Sequence, residues 1–219
     1  MTILYSFLGS SYINLSETTK EIRASKDFRK SIYVNLTNRC PCSCTFCLRN
    51  TKEMNENNTL WLDREPSVSE ITTEFEKYDL NEFNEVIFCG FGEPLERAND
   101  LIEVAKYIKK LHPSMPTRIN SNGLANLIHQ KNIPELLNGL IDTISISLNA
   151  SNKEEFFRLT RSKFGIESYD AMLQFAVDCK NYIPNVVLTV VDCIGEKEIE
   201  ACQTVCDNLG LNLRVRPFE

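Results

Sequence analysis

Four cysteines fall within eight residues of this chain, in Asn38-Arg-Cys40-Pro-Cys42-Ser-Cys44-Thr-Phe-Cys47. Cys40, Cys44 and Cys47 have the spacing C-x-x-x-C-x-x-C, and a tight loop at that spacing turns three thiolates toward one point. Three ligands on a four-iron cube leave one iron without a protein ligand. That iron can take an amine and a carboxylate from a bound molecule and set it against an electron source. Structural zinc is the competing use. Zinc usually wants four ligands, often as two separated pairs, and four ligands within eight residues strain a tetrahedron. Buried or redox thiols are a third use. The two histidines, His112 and His129, lie far away in sequence. Cys42 is read as a neighbour of the ligands and not as one of them.

The elements that must position these thiols are legible from residue 31 onward. Short apolar runs at 31–36, 84–89, 117–120, 143–148, 186–191 and 211–217 read as strands. Helical patterns separate them. Ser67-Val-Ser-Glu70 is a capping box opening a helix to Tyr78. Leu101, Val104, Ala105, Ile108 and Leu111 repeat at helical spacing. Ser151-Asn-Lys-Glu154 is a second capping box, and 169–179 and 196–208 are further helices, the last with Gly210 as a C-cap. Six strands alternating with helices imply a parallel sheet with right-handed crossovers, either open or a partial barrel, with ligands at the carboxyl ends of the strands. The cysteine loop follows the first of those ends. Residues 1–30 lie outside the repeat. Within them, 2–8 and 12–15 pair as a hairpin around Gly9-Ser10-Ser11. Residues 49–66 read as a long polar loop carrying the only tryptophan, Trp61, a lid or binding loop.

Composition sets outer limits. A chain of 219 residues suggests one large domain with a short extension, and 42% apolar residues suffice for a core. The net charge of −6 argues against a mainly electrostatic grip on nucleic acid. No apolar run approaches the ~20 residues of a membrane helix. The apolar start at 1–8 has no basic leader or cleavage site, so the expected location is the cytoplasm. There, nine cysteines are not expected to form a disulfide framework and serve more often as ligands or catalytic groups.

Other motifs stand at other strand ends. Cys89-Gly-Phe-Gly-Glu-Pro94 places two glycines where backbone can approach a ligand closely. Asn120-Ser-Asn-Gly123 is a turn signal. In Ile144-Ser-Ile-Ser147-Leu-Asn149, Ser145, Ser147 and Asn149 share a face by strand period and suit hydroxyl groups of a ligand. Cys193, Cys202 and Cys206 are not read as a second cluster, because the last two are helical positions four apart and buried thiols are common.

C-x-x-x-C-x-aromatic-C after a first strand resembles the radical S-adenosylmethionine (SAM) superfamily. That resemblance implies an α/β fold, a partial (β/α)6 barrel of parallel strands, here residues 31–219 with a short N-terminal extension at 1–30. It implies that Cys40, Cys44 and Cys47 ligate a [4Fe–4S] cluster. It puts Phe46 near the adenine, although core packing also suits this ring. Gly90-Phe-Gly-Glu-Pro94 resembles the family's Gly-Gly-Glu-Pro element, with Phe91 at the usual first glycine. Gly92 and Glu93 then receive the methionine amine, Glu93 by orientation or hydrogen bonding. Asn122 matches the Thr-Asn-Gly element, and Ser147 and Asn149 take the ribose. Arg161 holds the methionine carboxylate or is an exposed helix-end arginine. The family's glycine element near the fifth strand is poorly matched at 191–195, and no role is carried over there.

The resemblance is strongest to the TatD-associated radical SAM proteins, through Tyr33-Val-Asn-Leu-Thr-Asn-Arg-Cys-Pro-Cys42, Phe88-Cys-Gly-Phe-Gly-Glu-Pro94, residues 118–126, 145–150 and Arg214-Val-Arg216. It implies reductive cleavage of SAM to a 5′-deoxyadenosyl radical that takes hydrogen from an unidentified substrate. It also implies a one-electron donor such as flavodoxin or ferredoxin, and a link to a TatD-type hydrolase. A radical enzyme acting on RNA or a nucleoside, and a non-enzymatic zinc-stabilised binding module, are the alternatives.

Overall fold

The computed structural model describes residues 1–51 and 59–217. Residues 52–58, which belong to the expected lid loop, and residues 218–219 lie outside the described residues. In chain order the elements are β1 (Leu4–Leu8), β2 (Ser11–Asn14), α1 (Lys20–Ala24), β3 (Ser31–Val34), α2 (Leu48–Thr51), α3 (Val68–Phe75), β4 (Glu85–Phe88), α4 (Ala98–Leu111), β5 (Thr117–Ser121), α5 (Ala125–His129), α6 (Ile133–Leu136), β6 (Thr143–Ser147), α7 (Lys153–Thr160), α8 (Ser168–Cys179), β7 (Asn185–Val191), α9 (Glu196–Leu209) and β8 (Asn212–Arg216). All six strands expected after residue 30 are present. The chain divides into two compact units. One holds Met1–Arg39 and the described part of Glu53–Ile119. The other holds Cys40–Lys52 and Asn120–Glu219, again as far as described.

In the first unit β3 pairs parallel with β4, and β4 parallel with β5. All four residues of β3 are buried, as expected of a strand covered on both faces. Ile32 and Val34 stand beside Val86 and Phe88 in the register, and all four are fully buried. Helix α4 buries Leu101, Val104, Ala105 and Ile108, each contributing about 1–3 kcal/mol of transfer free energy. Helix α3 packs beside it. It begins at the expected capping box, with both reciprocal bonds formed between Ser67 and Glu70; caps of this kind are worth about 1 kcal/mol. The helix ends at Phe75, three residues short of the expected Tyr78.

The expected hairpin also exists. β1 and β2 pair antiparallel, and β1 pairs antiparallel with β3. An aromatic cluster welds the hairpin to β3. The Tyr5 and Tyr33 rings stack at 5.0 Å and Phe7 meets Tyr33 edge-on at 5.1 Å. Arg29 lies over the Phe7 ring at 4.7 Å.

In the second unit β6, β7 and β8 pair parallel in that order. Ile144 and Ile146 are fully buried on one face of β6, so strand period puts Ser145 and Ser147 on the other. Helix α7 corrects one expectation. Its cap is Asn152, whose side chain accepts from the Glu155 amide at 3.0 Å, and not Ser151. The Ser151 amide is already committed to the Glu198 carboxylate at 2.7 Å, and Asn caps as well as Ser does. Helix α9 ends at Gly210, whose φ of +60° is the left-handed conformation a glycine adopts without steric cost. The pairings of β3–β4, β4–β5, β6–β7 and β7–β8 are parallel with helices between successive strands. This is the expected α/β alternation. Among the described residues, no helix is long and apolar enough to cross a membrane.

Candidate metal centre and cofactor site

The cysteine loop follows the carboxyl end of β3, and the end of α7 holds it. The last carbonyls of a helix have no amide partner within it. Here Thr160 O accepts from the Ser43 amide at 2.8 Å and Leu159 O from the Thr45 amide at 2.9 Å. Just beyond, the Lys163 amide donates to Pro41 O at 2.9 Å. Arg161 ends α7 in the left-handed region, at φ 48°, with its side chain exposed. Cys44 O accepts from the Cys47 amide, and Cys47 O from the Asn50 amide, which starts α2.

None of the four thiols of the loop is in a disulfide. Cys40, Cys44 and Cys47 are partly buried and Cys42 is buried. Two side chains aim N–H groups at the sulfurs. Asn122 Nδ2 lies 3.8 Å from Cys40 Sγ and 3.9 Å from Cys42 Sγ. Arg49 Nε lies 3.4 Å from Cys47 Sγ, and its Nη2 donates to Cys42 O at 3.3 Å. The hydrogen bond from Cys42 draws the Cys40 thiol down to about 6. The same partner lowers Cys44. Cys42, the shared donor, is pushed up, first by those two hydrogen bonds and then by burial. Cys42 is thus the shared hydrogen-bond donor, favouring the charged form of Cys40 and Cys44 at the expense of its own.

This donor set suits an iron–sulfur cube. It is all sulfur, it carries charge readily, and it faces N–H donors of the kind that tune cluster sulfurs. One zinc ion requires its sulfurs within about 2.3 Å of a single point, whereas each iron of a cube takes its own cysteine. Among the described residues, no three His, Cys, Asp or Glu side chains are grouped to hold one metal ion. His112 is occupied elsewhere, with Nε2 at 3.1 Å from Asn81 Oδ1.

The other expected residues of this unit stand as follows. Ser147 ends β6, opposite Thr189 in the register, and is partly buried. Leu148 and Asn149 direct their amides to Thr189 O at 2.9 and 3.4 Å. Asn149 is 5% exposed with φ 61°, an uncommon conformation for a side chain other than glycine. On the face it shares with Ser147, Ser145 Oγ accepts from Arg214 Nη2 at 3.2 Å. Phe46 is partly buried on the cysteine loop. Arg49 was not singled out from the sequence. Its signal is a cation two residues beyond the third cysteine of the motif.

In the first unit, Gly92 and Glu93 rest on the backbone that leads into the cysteine loop. The Glu93 amide donates to Arg39 O at 2.8 Å. Glu93 is 3% exposed, and its carboxylate accepts from the Leu95 amide at 3.1 Å. A Cβ on Gly92 would sit 2.3 Å from Thr37 O and 2.6 Å from Arg39 O, so only glycine fits this approach. Trp61, 45% exposed, meets the buried Phe91 ring edge-on at 5.1 Å. The stretch expected to be a polar loop is only partly so: 48–51 is helical, and Leu60 and Leu62 are buried anchors.

Cys202 and Cys206 are fully buried on α9, and burial raises their thiols to about 12 and about 11. Cys193 is exposed on the turn after β7.

Comparison with known proteins gives three findings. The family model described as the Radical SAM superfamily matches residues 34–205. The molybdenum cofactor biosynthesis protein moc-5 of Caenorhabditis elegans is 25% identical over 186 residues, which cover 85% of this chain and 29% of that protein. A solved radical SAM methyltransferase from Sphaerobacter thermophilus superposes with a TM-score of 0.59 at 14% identity, over 86% of this chain and 55% of its own. That likeness carries the expected fold class, an α/β chain of the partial (β/α)6-barrel type. The chain spans under a third of the worm protein and about half of the methyltransferase.

Proposed function

The chain belongs to the radical SAM superfamily, and on that premise we propose that Cys40, Cys44 and Cys47 hold the [4Fe–4S] cluster. It is a radical SAM enzyme whose cofactors are that cluster type and S-adenosylmethionine. The observation that carries the ligand assignment is the donor set: three cysteines outside any disulfide on one pinned loop, with the Asn122 amide turned to Cys40 and the Arg49 guanidinium to Cys47. When bound, the two cofactors supply homolytic cleavage of the sulfonium carbon–sulfur bond and hydrogen-atom abstraction from a substrate.

The chain's own residues bind, orient and exclude water. Asn122 and Arg49 offset the negative charge on the sulfurs. Gly92 presents bare backbone to the methionine amine, and Glu93, its carboxylate engaged at Leu95, orients that turn. Ser147 and Asn149 take the ribose, Phe46 the adenine and Arg161 the methionine carboxylate. We assign the chain to the TatD-associated subfamily on the strings at 33–42, 88–94 and 214–216, with a functional link to a TatD-type hydrolase. The electron donor is a flavodoxin or ferredoxin in the cytoplasm, and residues 1–30 are an extension of the catalytic domain. The substrate is unidentified.

Anaerobic purification followed by metal analysis tests the assignment. A brown protein with about four irons per chain is expected. A colourless protein with one zinc would contradict it and favour a zinc-stabilised binding module.

A further inference from the structure

Leu60, Leu62 and Glu65 bind the segment at 59–66 to four of the five residues that precede Cys40. Asn35 Nδ2 donates to Leu60 O at 2.7 Å. Asn38 and Leu62 exchange two bonds, Nδ2 to Leu62 O at 2.7 Å and the Leu62 amide to Oδ1 at 3.1 Å. The largest share falls on Glu65. Its Oε1 accepts from the Thr37 hydroxyl and from Arg39 Nε at 2.7 Å, and its Oε2 accepts from Arg39 Nη2 at 3.2 Å. The Thr37 hydroxyl, oriented by Glu65, accepts in turn from the Arg39 amide at 2.9 Å. Arg97, with a side chain only 9% exposed, closes the frame. It lies 3.8 Å from Glu65 and donates to Leu36 O at 2.8 Å and Pro66 O at 2.7 Å. Burial pulls the Glu65 carboxyl upward, but the bonds from Arg39 and Thr37 outweigh it and hold the group below its ordinary range. The brace is therefore charged at neutral pH.

What this frame fixes is the direction of two carbonyls. With Thr37 Oγ tied to Glu65 and to the Arg39 amide, the Thr37 and Arg39 carbonyls are turned to the face on which Gly92 lies and the Glu93 amide docks. We propose that Glu65 is a positioning residue for S-adenosylmethionine: it sets the Thr37 and Arg39 carbonyls and, through them, the Gly92–Glu93 backbone that receives the methionine group. This rests on the reading of Gly92 and Glu93 proposed above. Glu65 itself makes no contact with the cofactor in this scheme, so its loss weakens binding without removing a ligand to iron.

The test uses the full chain, anaerobically reconstituted, as wild type, Glu65→Ala, Glu65→Gln and Arg64→Ala. Iron per chain, the dissociation constant for S-adenosylmethionine by calorimetry, and amide exchange in peptides spanning 36–40 and 90–95 are measured. Glu65→Ala is expected to keep its iron, to bind S-adenosylmethionine about tenfold or more weakly, and to exchange faster in both peptides. Glu65→Gln keeps an acceptor for Thr37 and is expected to recover most of the affinity. Arg64→Ala removes the exposed Arg64–Glu70 pair and a long 3.4 Å bond to the Glu65 carbonyl but none of the Glu65 side-chain bonds, and is expected to match wild type. Unchanged affinity in Glu65→Ala, or equal losses in Glu65→Ala, Glu65→Gln and Arg64→Ala, overturns the proposal. If Glu65→Ala does not fold, Thr37→Val removes the relay from its other end, and unchanged affinity there overturns the proposal equally. Wild type that holds its iron but does not bind S-adenosylmethionine overturns the underlying reading and this inference with it.

Discussion

Gly92→Ala is expected to weaken S-adenosylmethionine binding by about a hundredfold or more while leaving most of the iron in place. The added Cβ would lie 2.3 Å from Thr37 O and 2.6 Å from Arg39 O, well inside van der Waals contact. Neither neighbour is a side-chain tip that can swing away. Both are backbone atoms held by the Glu65 frame, so the turn at 90–93 must move by roughly 1 Å. A clash with fixed backbone and the loss of a buried hydrogen bond together cost about 3 kcal/mol, on the order of 10²-fold in affinity. The same movement breaks the bond from the Glu93 amide to Arg39 O, now 2.8 Å. Calorimetry on reconstituted protein checks the prediction, with thermal melting as the control for folding. An affinity within threefold of wild type would show that this turn does not receive the cofactor.

The second large effect distinguishes cysteines two positions apart on one loop. Cys44→Ala is expected to lose most of its iron, because a cube left with two protein thiolates is poorly held. Cys42→Ala is expected to retain close to wild-type iron. Cys42 is buried and hydrogen-bonds to its neighbours, so its removal costs packing and a local hydrogen bond. It also frees Cys40 and Cys44 from the hydrogen bonds that lower them, so cluster assembly in Cys42→Ala should become more demanding at low pH. Iron and sulfide per chain with the visible absorption spectrum read the difference. Equal loss in both variants would make Cys42 a ligand and return zinc to consideration.

Much of this was legible in the sequence because it rests on local rules. The runs at β3, β4, β6 and β7 are β-branched or aromatic and stop at residues that break a strand, so their existence and order could be read directly. The Ser67–Glu70 box could be read because both partners lie three residues apart. The Ser151–Glu154 box matched the same pattern, yet Asn152 caps α7. What decided it was the Glu198 carboxylate, 47 residues away, on the Ser151 amide. Helices α5 and α6 were not foreseen, since five and four residues are too few to show a helical period. In the site, the three cysteines, Gly92 and Asn122 were visible as motif positions. Asn122 could be read as half of an Asn-Gly turn and, by resemblance, as the family's Thr-Asn-Gly position. That its amide faces Cys40 and Cys42 depends on how Asn122 and the cysteine loop, 80 residues apart, meet within one unit. Glu65 and Arg97 gave no signal at all. They are ordinary charged residues whose partners, Thr37, Arg39 and Leu36, lie 26 or more residues away.

The account stands most directly on one assay: wild-type protein, reconstituted anaerobically with iron and sulfide, incubated with S-adenosylmethionine and dithionite, and analysed for 5′-deoxyadenosine and methionine. Formation of both, dependent on reductant and absent in Cys44→Ala, is the predicted result. A reduced cluster with about four irons that binds S-adenosylmethionine and yields neither product would contradict it.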